Sequence, residues 1–382
     1  MEEYIVKGQE KLRWGYTTGS CATAATKAAT WMLLTGEDIE EVRISTPKGI
    51  SLSLEVYDTC RKADSVSCAI IKDAGDDPDV THGMKIYAKV TKNKEKGIHI
   101  DGGIGIGRVT QKGLKCDVGE AAINPVPRKM IEEAVKAVCK NLDYKGGIDV
   151  LIYAPEGKEI SKKTYNSRLG IIGGISILGT SGIVEPMSES ALIETIHMEL
   201  KVRQARKLES VLISPGNYGR DFALQELGID LEESIKYSNY LGETLDYIAY
   251  LGFKKVLLVG HIGKLVKVAA GIMNTHSKYA DGRMEVIAVH TALQGYSSKI
   301  IKDIMESKTT DAALQVIEDL PHYEQIIISI INKIKEHIDF RVKNKVQVEL
   351  ILFGENGIIG TSRGARELIQ YFKEGENDEK IR

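Results

Sequence analysis

Apolar and polar positions follow two rhythms along this chain, and the change between them falls near residue 187. Val42-Arg-Ile-Ser-Thr and Ile50-Ser-Leu-Ser-Leu-Glu-Val alternate around Pro47-Lys-Gly, the pattern of a hairpin with every second side chain turned to a core. Val66-Ser-Cys-Ala-Ile-Ile and Ile86-Tyr-Ala-Lys-Val carry the strand-like region on to about residue 110 and are expected to continue the same sheet. Ahead of it, residues 20–34 are alanine-rich and helical, with Ser20 or Thr18 placed to cap the helix and Gly36 to end it. Behind it, Pro125-Val-Pro-Arg-Lys-Met-Ile-Glu-Glu-Ala-Val predicts a helix with proline in its first turn. Strands beside helices without strict alternation predict a mixed-sheet α+β domain over residues 1–187.

From residue 188 the period lengthens. A helix is expected over residues 188–207, then the apolar strand Ser210-Val-Leu-Ile-Ser, the loop Pro215-Gly-Asn-Tyr-Gly, helical segments to Tyr250 and a second buried strand, Lys255-Val-Leu-Leu-Val-Gly. Strand, loop and helix in repetition, with strands apolar throughout, is the sequence form of a Rossmann-like parallel α/β domain, placed at 188–300. Residues 281–341 read as mostly helical and 346–361 as a hairpin turning at Glu355-Asn-Gly. The membership of residues 301–382 stays open, and a charged tail begins at Lys373.

Composition narrows the function classes. Of 382 residues, 43% are hydrophobic and 27% charged, which is globular and long enough for two ordinary cores. The formal charge of −2 argues against a nucleic-acid-binding surface, though not against a local basic pocket. No apolar run reaches the ~18 residues that span a bilayer. The N-terminus is acidic where a signal peptide would be basic. Cysteines 21, 60, 68, 116 and 139 include no C-x-x-C pair, which disfavours a disulfide framework and a thiolate zinc site. The expectation is a soluble, reduced, cytoplasmic protein without a metal site of its own.

Several near-matches to known motifs fail on spacing. Gly260-His-Ile-Gly-Lys264 lacks the first glycine of a P-loop, and Leu265 stands where that loop has its magnesium-binding hydroxyl. Gly103-Ile-Gly105-Ile-Gly107 lacks the last glycine of a dinucleotide fingerprint and is followed by a strand-like segment. Asp73-Ala-Gly-Asp-Asp-Pro-Asp79 has neither the spacing nor the terminal glutamate of a calcium loop, and no H-E-x-x-H is present.

What remains is more general. Gly260, His261, Gly263 and Lys264 lie where a strand is expected to hand over to a helix, a place whose free amides favour an anion. Ser214, Gly216 and Asn217 hold the equivalent place after the preceding strand, and the two loops would rim one ligand; ordinary turns are the bland alternative. The acidic loop around Asp73, Asp76, Asp77, Asp79 and His82 is either a solvated turn or a cation-recognising one. Thr17, Thr18 and Ser20 open the alanine-rich helix with more hydroxyls than a cap consumes, so an anion site there is a second expectation. Cys21 beside them is a low-pKa thiolate or, the more ordinary case, a small buried filler. Glycines from 170 to 182 predict tight turns or close backbone approach.

Taken together, Tyr16-Thr-Thr-Gly-Ser-Cys-Ala, Lys72-Asp-Ala-Gly-Asp-Asp-Pro-Asp-Val-Thr-His-Gly, Gly119-Glu-Ala-Ala-Ile-Asn-Pro-Val-Pro-Arg, Gly173-Gly-Ile-Ser-Ile-Leu-Gly-Thr-Ser-Gly, Val259-Gly-His-Ile-Gly-Lys and Asn274-Thr-His-Ser resemble, in that order, the cobalt-precorrin-5B C1-methyltransferases of anaerobic cobalamin synthesis. The likeness runs from about Leu12 to His276 and is less sharp after residue 300; Ser20 stands where the family more often has threonine. The resemblance implies S-adenosylmethionine as methyl donor, conversion of cobalt-precorrin-5B to cobalt-precorrin-6A, and cobalt that arrives within the tetrapyrrole substrate. On that footing Ser214, Gly216, Asn217, Gly260, His261 and Gly263 are expected at the donor. Thr17, Thr18, Ser20, Arg128, Arg168, Thr180, Ser181 and Lys264 are expected at the polycarboxylate substrate. Asp76, Asp77 or His82 is expected as a general base. Partners from the same pathway are possible. A non-catalytic tetrapyrrole carrier and a nucleotide-cofactor oxidoreductase are the alternatives.

Overall fold

The structure, a computed structural model, describes residues 3–379; Met1 and Glu2 of the acidic N-terminus and the last three residues of the charged tail lie outside the described residues. The chain forms two compact units, Met1–Glu189 and Ser190–Arg382.

In the first unit a central helix, Thr18–Thr35, is buried along almost its whole length. Its alanines and threonines are what make this possible, because small side chains let it lie close against the strands Ser65–Ile71 and Lys85–Asn93 and the helix Pro125–Asn141. Thr17 caps the helix, with Oγ1 accepting from the Ser20 amide, and Gly36 ends it in the left-handed region. Thr18 and Ser20, one of which is expected from sequence to be the cap, do not hold that place. The reason is backbone conformation: Thr17 is the extended flanking residue, and the other two already lie in the first turn.

A five-stranded sheet runs in the order Tyr57–Arg61, Ser65–Ile71, Lys85–Asn93, Gly147–Tyr153, Ile98–Gly102. Its neighbours are antiparallel except the last pair, which is parallel and connected through the helix Pro125–Asn141. Ile86, Ala88 and Val90 point to the helix, and Tyr87 and Lys89 point away from it. The hairpin Glu41–Ser45 with Ser51–Glu55 does not continue this sheet, contrary to expectation. Its alternate residues Val42, Ile44, Leu52 and Leu54 enter the same core by side-chain packing, and hydrophobic alternation is identical whether a strand is paired or merely packed.

In the second unit the strand order is Ile235–Lys236, Ser210–Ser214, Lys255–His261, Gln347–Gly354, Gly357–Thr361. The first four strands are parallel and the last closes an antiparallel hairpin, so the C-terminal hairpin belongs to this sheet. Ile235–Lys236 was read as part of a helical stretch; at two residues it is too short to leave a periodic signal. Val211, Ile213, Val256, Leu258, Leu350 and Leu352 pack on one face with the helices Leu241–Leu251 and Tyr323–Arg341. Leu212, Leu257, Val259, Ile351 and Phe353 pack on the other with Ala223, Leu227, Ala365 and Leu368. Both faces are covered, which is why these strands are apolar without alternation. From Ser210–Ser214 the chain moves outward to Ile235–Lys236, then crosses to the other side at Lys255–His261. The connections leaving the ends of Ser210–Ser214 and Lys255–His261 therefore diverge and open a crevice. Among the described residues no helix is long and apolar enough to cross a membrane.

Candidate functional site

The crevice at the carboxyl edge of the second sheet brings together both loops singled out from sequence. Ser214 is fully buried; its hydroxyl lies 2.6 Å from that of Ser234 and donates to the Gly216 carbonyl. It therefore shapes the loop, and the exposed Asn217 and the open space around Gly216 face outward. Gly260 packs closely, since a Cβ there would meet the Leu265 side chain at 2.9 Å. His261 Nδ1 accepts from the Gly263 amide at 3.0 Å, which leaves the proton of the neutral ring on Nε2.

That Nε2 is buried without a hydrogen-bond partner and lies 3.7 Å from an Asp311 carboxylate oxygen. Burial lowers the His261 pKa, while Asp311 and Glu355 work against the shift. The result is a neutral donor aimed toward a carboxylate with a gap between them. Tyr218 and Phe353 meet the His261 ring edge-on, at 5.2 and 5.5 Å between centroids. Tyr218 remains 67% exposed, a ring held at the mouth with one face bare. Tyr218, Asp311 and Phe353 were missed from sequence. Phe353 ends a strand that was recognised, so its position at the carboxyl edge was within reach; Asp311 comes from a distant helix, Thr310–Ile317, with no spacing signal.

Lys264 is placed differently from expectation. The helix after His261 is a single turn, Ile262–Leu265, continued as the 3₁₀ segment Val266–Ala270, and its Gly263 amide is already taken. A helix-end anion site is thereby weakened. Lys264 is half-buried and donates to the Ser238 carbonyl at 3.3 Å; burial, then Lys267, lowers its pKa.

In the first unit, the helix start and the glycine-rich segment come together. Thr18 exchanges hydrogen bonds with the backbone of Ser176 and Leu178, and Ser20 donates to the Gly182 carbonyl at 2.7 Å. The surplus hydroxyls are thus consumed by the protein, and the expectation of an anion site there loses its physical basis. Ser181 donates to Ile183, Thr180 is exposed, and Arg128 donates to the Ile100 carbonyl at 2.9 Å; Arg168 is half-buried. Cys21 is fully buried, which pushes its thiol up to about 12 and makes it the filler of the two readings.

The acidic loop is ion-paired. Asp73 accepts from both terminal guanidinium nitrogens of Arg13, and these hydrogen bonds hold its carboxyl below the usual range. Asp79 meets Lys72, itself 2% exposed, at 2.6 Å; burial would raise the Asp79 pKa, but Lys72 and Thr81 together bring it below the ordinary value. Asp76 accepts from the Arg13 amide and Asp77 from the Met187 amide, each through one oxygen. His82 Nδ1 accepts from the Ala74 amide, so its outward Nε2 carries the proton and is no base in that tautomer. Gly75, at φ +66°, lies so close to Arg13 and Trp14 that a Cβ would overlap their backbone, and this contact fixes the loop.

The second unit is thus an α/β fold with a largely parallel sheet, at whose carboxyl edge the two candidate loops lie. The family models named CbiD and CbiD C-terminal domain match residues 5–186 and 274–363. A protein of Ruminiclostridium cellulolyticum named cobalt-precorrin-5B C(1)-methyltransferase is 56% identical over 92% of this chain and 92% of its own. One of the same name from Alkaliphilus metalliredigens is 46% identical over 99% and 100%. The crystal structure of a cobalamin biosynthesis protein (cbiD) from Archaeoglobus fulgidus aligns with 27% identity and a TM-score of 0.40, over 73% of this chain and 87% of that one. The chain belongs to the CbiD family, and it is a methyltransferase.

Proposed function

We propose that this chain is an S-adenosylmethionine-dependent C-methyltransferase that acts on C1 of cobalt-precorrin-5B to give cobalt-precorrin-6A, in the early-cobalt route to cobalamin. The observation that carries this reading is near-full-length identity of up to 56% to relatives of that name. The Rossmann-like second unit supports a nucleoside-type donor at its crevice. The exposed ring of Tyr218 suits a purine face, the His261 Nε2–H is a donor left over, and the Asp311 carboxylate suits a hydroxyl or ammonium. The donor supplies an electrophilic methyl group on a sulfonium. The chain's own residues hold it, align it and keep water away.

For the proton that leaves the substrate carbon, Asp76 and Asp77 are the proposed bases, because Asp73 and Asp79 are neutralised by Arg13 and Lys72. His82 is less suited while its Nδ1 is occupied. Of the proposed substrate residues, Arg128, Arg168, Thr180 and Lys264 keep a part, and Thr17, Thr18, Ser20 and Ser181 build the scaffold.

Equilibrium binding separates an enzyme from a carrier. The purified protein should bind S-adenosylhomocysteine saturably, and His261→Phe should weaken that binding at least tenfold by calorimetry. A protein that binds the macrocycle and shows no affinity for S-adenosylhomocysteine would be the carrier instead.

A further inference from the structure

The five-stranded sheet of the first unit has one face packed on the helix Thr18–Thr35 and another that no element covers completely. On that second face lies a recess of about 450 Å³, within the range of small-molecule sites. Apolar and aromatic side chains make a large part of its lining, beside Ser65 and Ser67. Tyr87 and Tyr153, cross-strand partners, stack with centroids 4.8 Å apart and planes 15° from parallel. Beside them Leu151 is 38% and Ile104 75% exposed, which is unusual for aliphatic side chains standing together on a sheet.

The rim is cationic. Lys89, directly across from Leu151, and Lys62 both line the recess. Neither forms an ion pair among the described residues. Of the acidic groups near the recess, Asp58, which also lines it, is paired with Lys85 at 2.7 Å and Asp101 with Arg108, while Glu156 lies close enough to act on the Tyr87 hydroxyl. Aromatic and aliphatic side chains beside the ammonium groups of Lys62 and Lys89 complement a large ring with anionic arms.

We propose that this face is where the polycarboxylate macrocycle docks, one ring face on Tyr87, Tyr153, Leu151 and Ile104, with peripheral carboxylates on Lys62 and Lys89. The assignment rests on the methyltransferase reading and names the seat of its substrate on the first unit. It also places the exposed Cys60, which lines the same recess, under the ligand.

The test uses the full chain and cobyrinic acid, a cobalt corrinoid with free acetate and propionate groups. Binding is followed by absorbance, and Cys60 alkylation by iodoacetamide is followed by peptide mass mapping. Lys89→Glu and Leu151→Asp should each weaken cobyrinic acid binding at least tenfold while S-adenosylhomocysteine affinity and the thermal midpoint stay at wild-type values. Saturating cobyrinic acid should slow Cys60 alkylation at least fivefold. Wild-type affinity in both variants, with Cys60 alkylated at the same rate with and without ligand, would overturn this docking face and leave the methyltransferase reading standing. The same holds if Leu151→Asp only turns a dimer into a monomer in sedimentation and leaves macrocycle affinity unchanged; the face would then be a self-association surface. A wild-type protein that binds no cobyrinic acid at any concentration would count against the functional reading itself.

Discussion

His261 concentrates what the second unit contributes. Its Nδ1 is fixed by the Gly263 amide and its Nε2–H lacks a partner, so the neutral ring is a directed donor and not a base. Because burial lowers its pKa, the ring stays neutral down past the ordinary histidine value of about 6.5. Protonation below that point would place a positive charge beside a cationic donor. Affinity for S-adenosylmethionine should therefore be flat from about pH 8 to 6.5 and fall only at lower pH, a dependence that His261→Asn should abolish. Calorimetric titration across that range checks it, and a decline that begins above pH 7 would contradict the assigned environment.

Among the elements, the acidic loop shows how charge can serve structure. Lys72 is held in the core by Asp79, and Arg13 clamps Asp73 at the loop's entry. Asp79→Asn removes the countercharge of a buried ammonium, and the expected loss is about 3 kcal/mol in urea unfolding at pH 7. Since the folded Asp79 pKa is lowered, its contribution is complete above the unfolded value of about 3.9 and is lost as pH falls through the folded one. The difference between wild type and variant should thus shrink in unfolding measured below about pH 3. A variant as stable as wild type at pH 7 would mean that Lys72 is solvated after all. Sequence reading found this loop by its density of aspartates but not its pairing, because Arg13 lies 60 residues from Asp73. The same limit applies to Ser20 and Gly182, whose contact spans 162 residues. Periodic features fared better. The helices Pro125–Asn141 and Glu189–Ala205, the apolar strands Ser210–Ser214 and Lys255–His261, and the hairpin turning at Glu355 are all local patterns that the structure contains. Sheet membership was not legible, as the separate hairpin Glu41–Ser45 shows, since alternation records burial and not the hydrogen-bonded neighbour.

At the scale of the whole molecule, each unit offers a surface of different chemistry. The second has a crevice of aromatic rings, an imidazole donor and a carboxylate; the first has an uncovered sheet face edged by lysines. A net charge of −2 leaves no general attraction for an anionic substrate, so the proposed docking relies on local cations, Lys62 and Lys89. Half of the proposed donor crevice was visible in sequence through Ser214, Gly216, Gly260 and His261. The other half, Tyr218, Phe353 and Asp311, depends on strand order, which brings Gln347–Gly354 beside Lys255–His261 from almost 90 residues away. The most direct measurement is transfer of a ¹³C-methyl group from S-adenosylmethionine to cobalt-precorrin-5B by the purified chain under anaerobic conditions, read by NMR of the product. The account predicts one new methyl signal, on C1 of the macrocycle. A methyl signal on any other carbon, or none with both ligands bound, would contradict it.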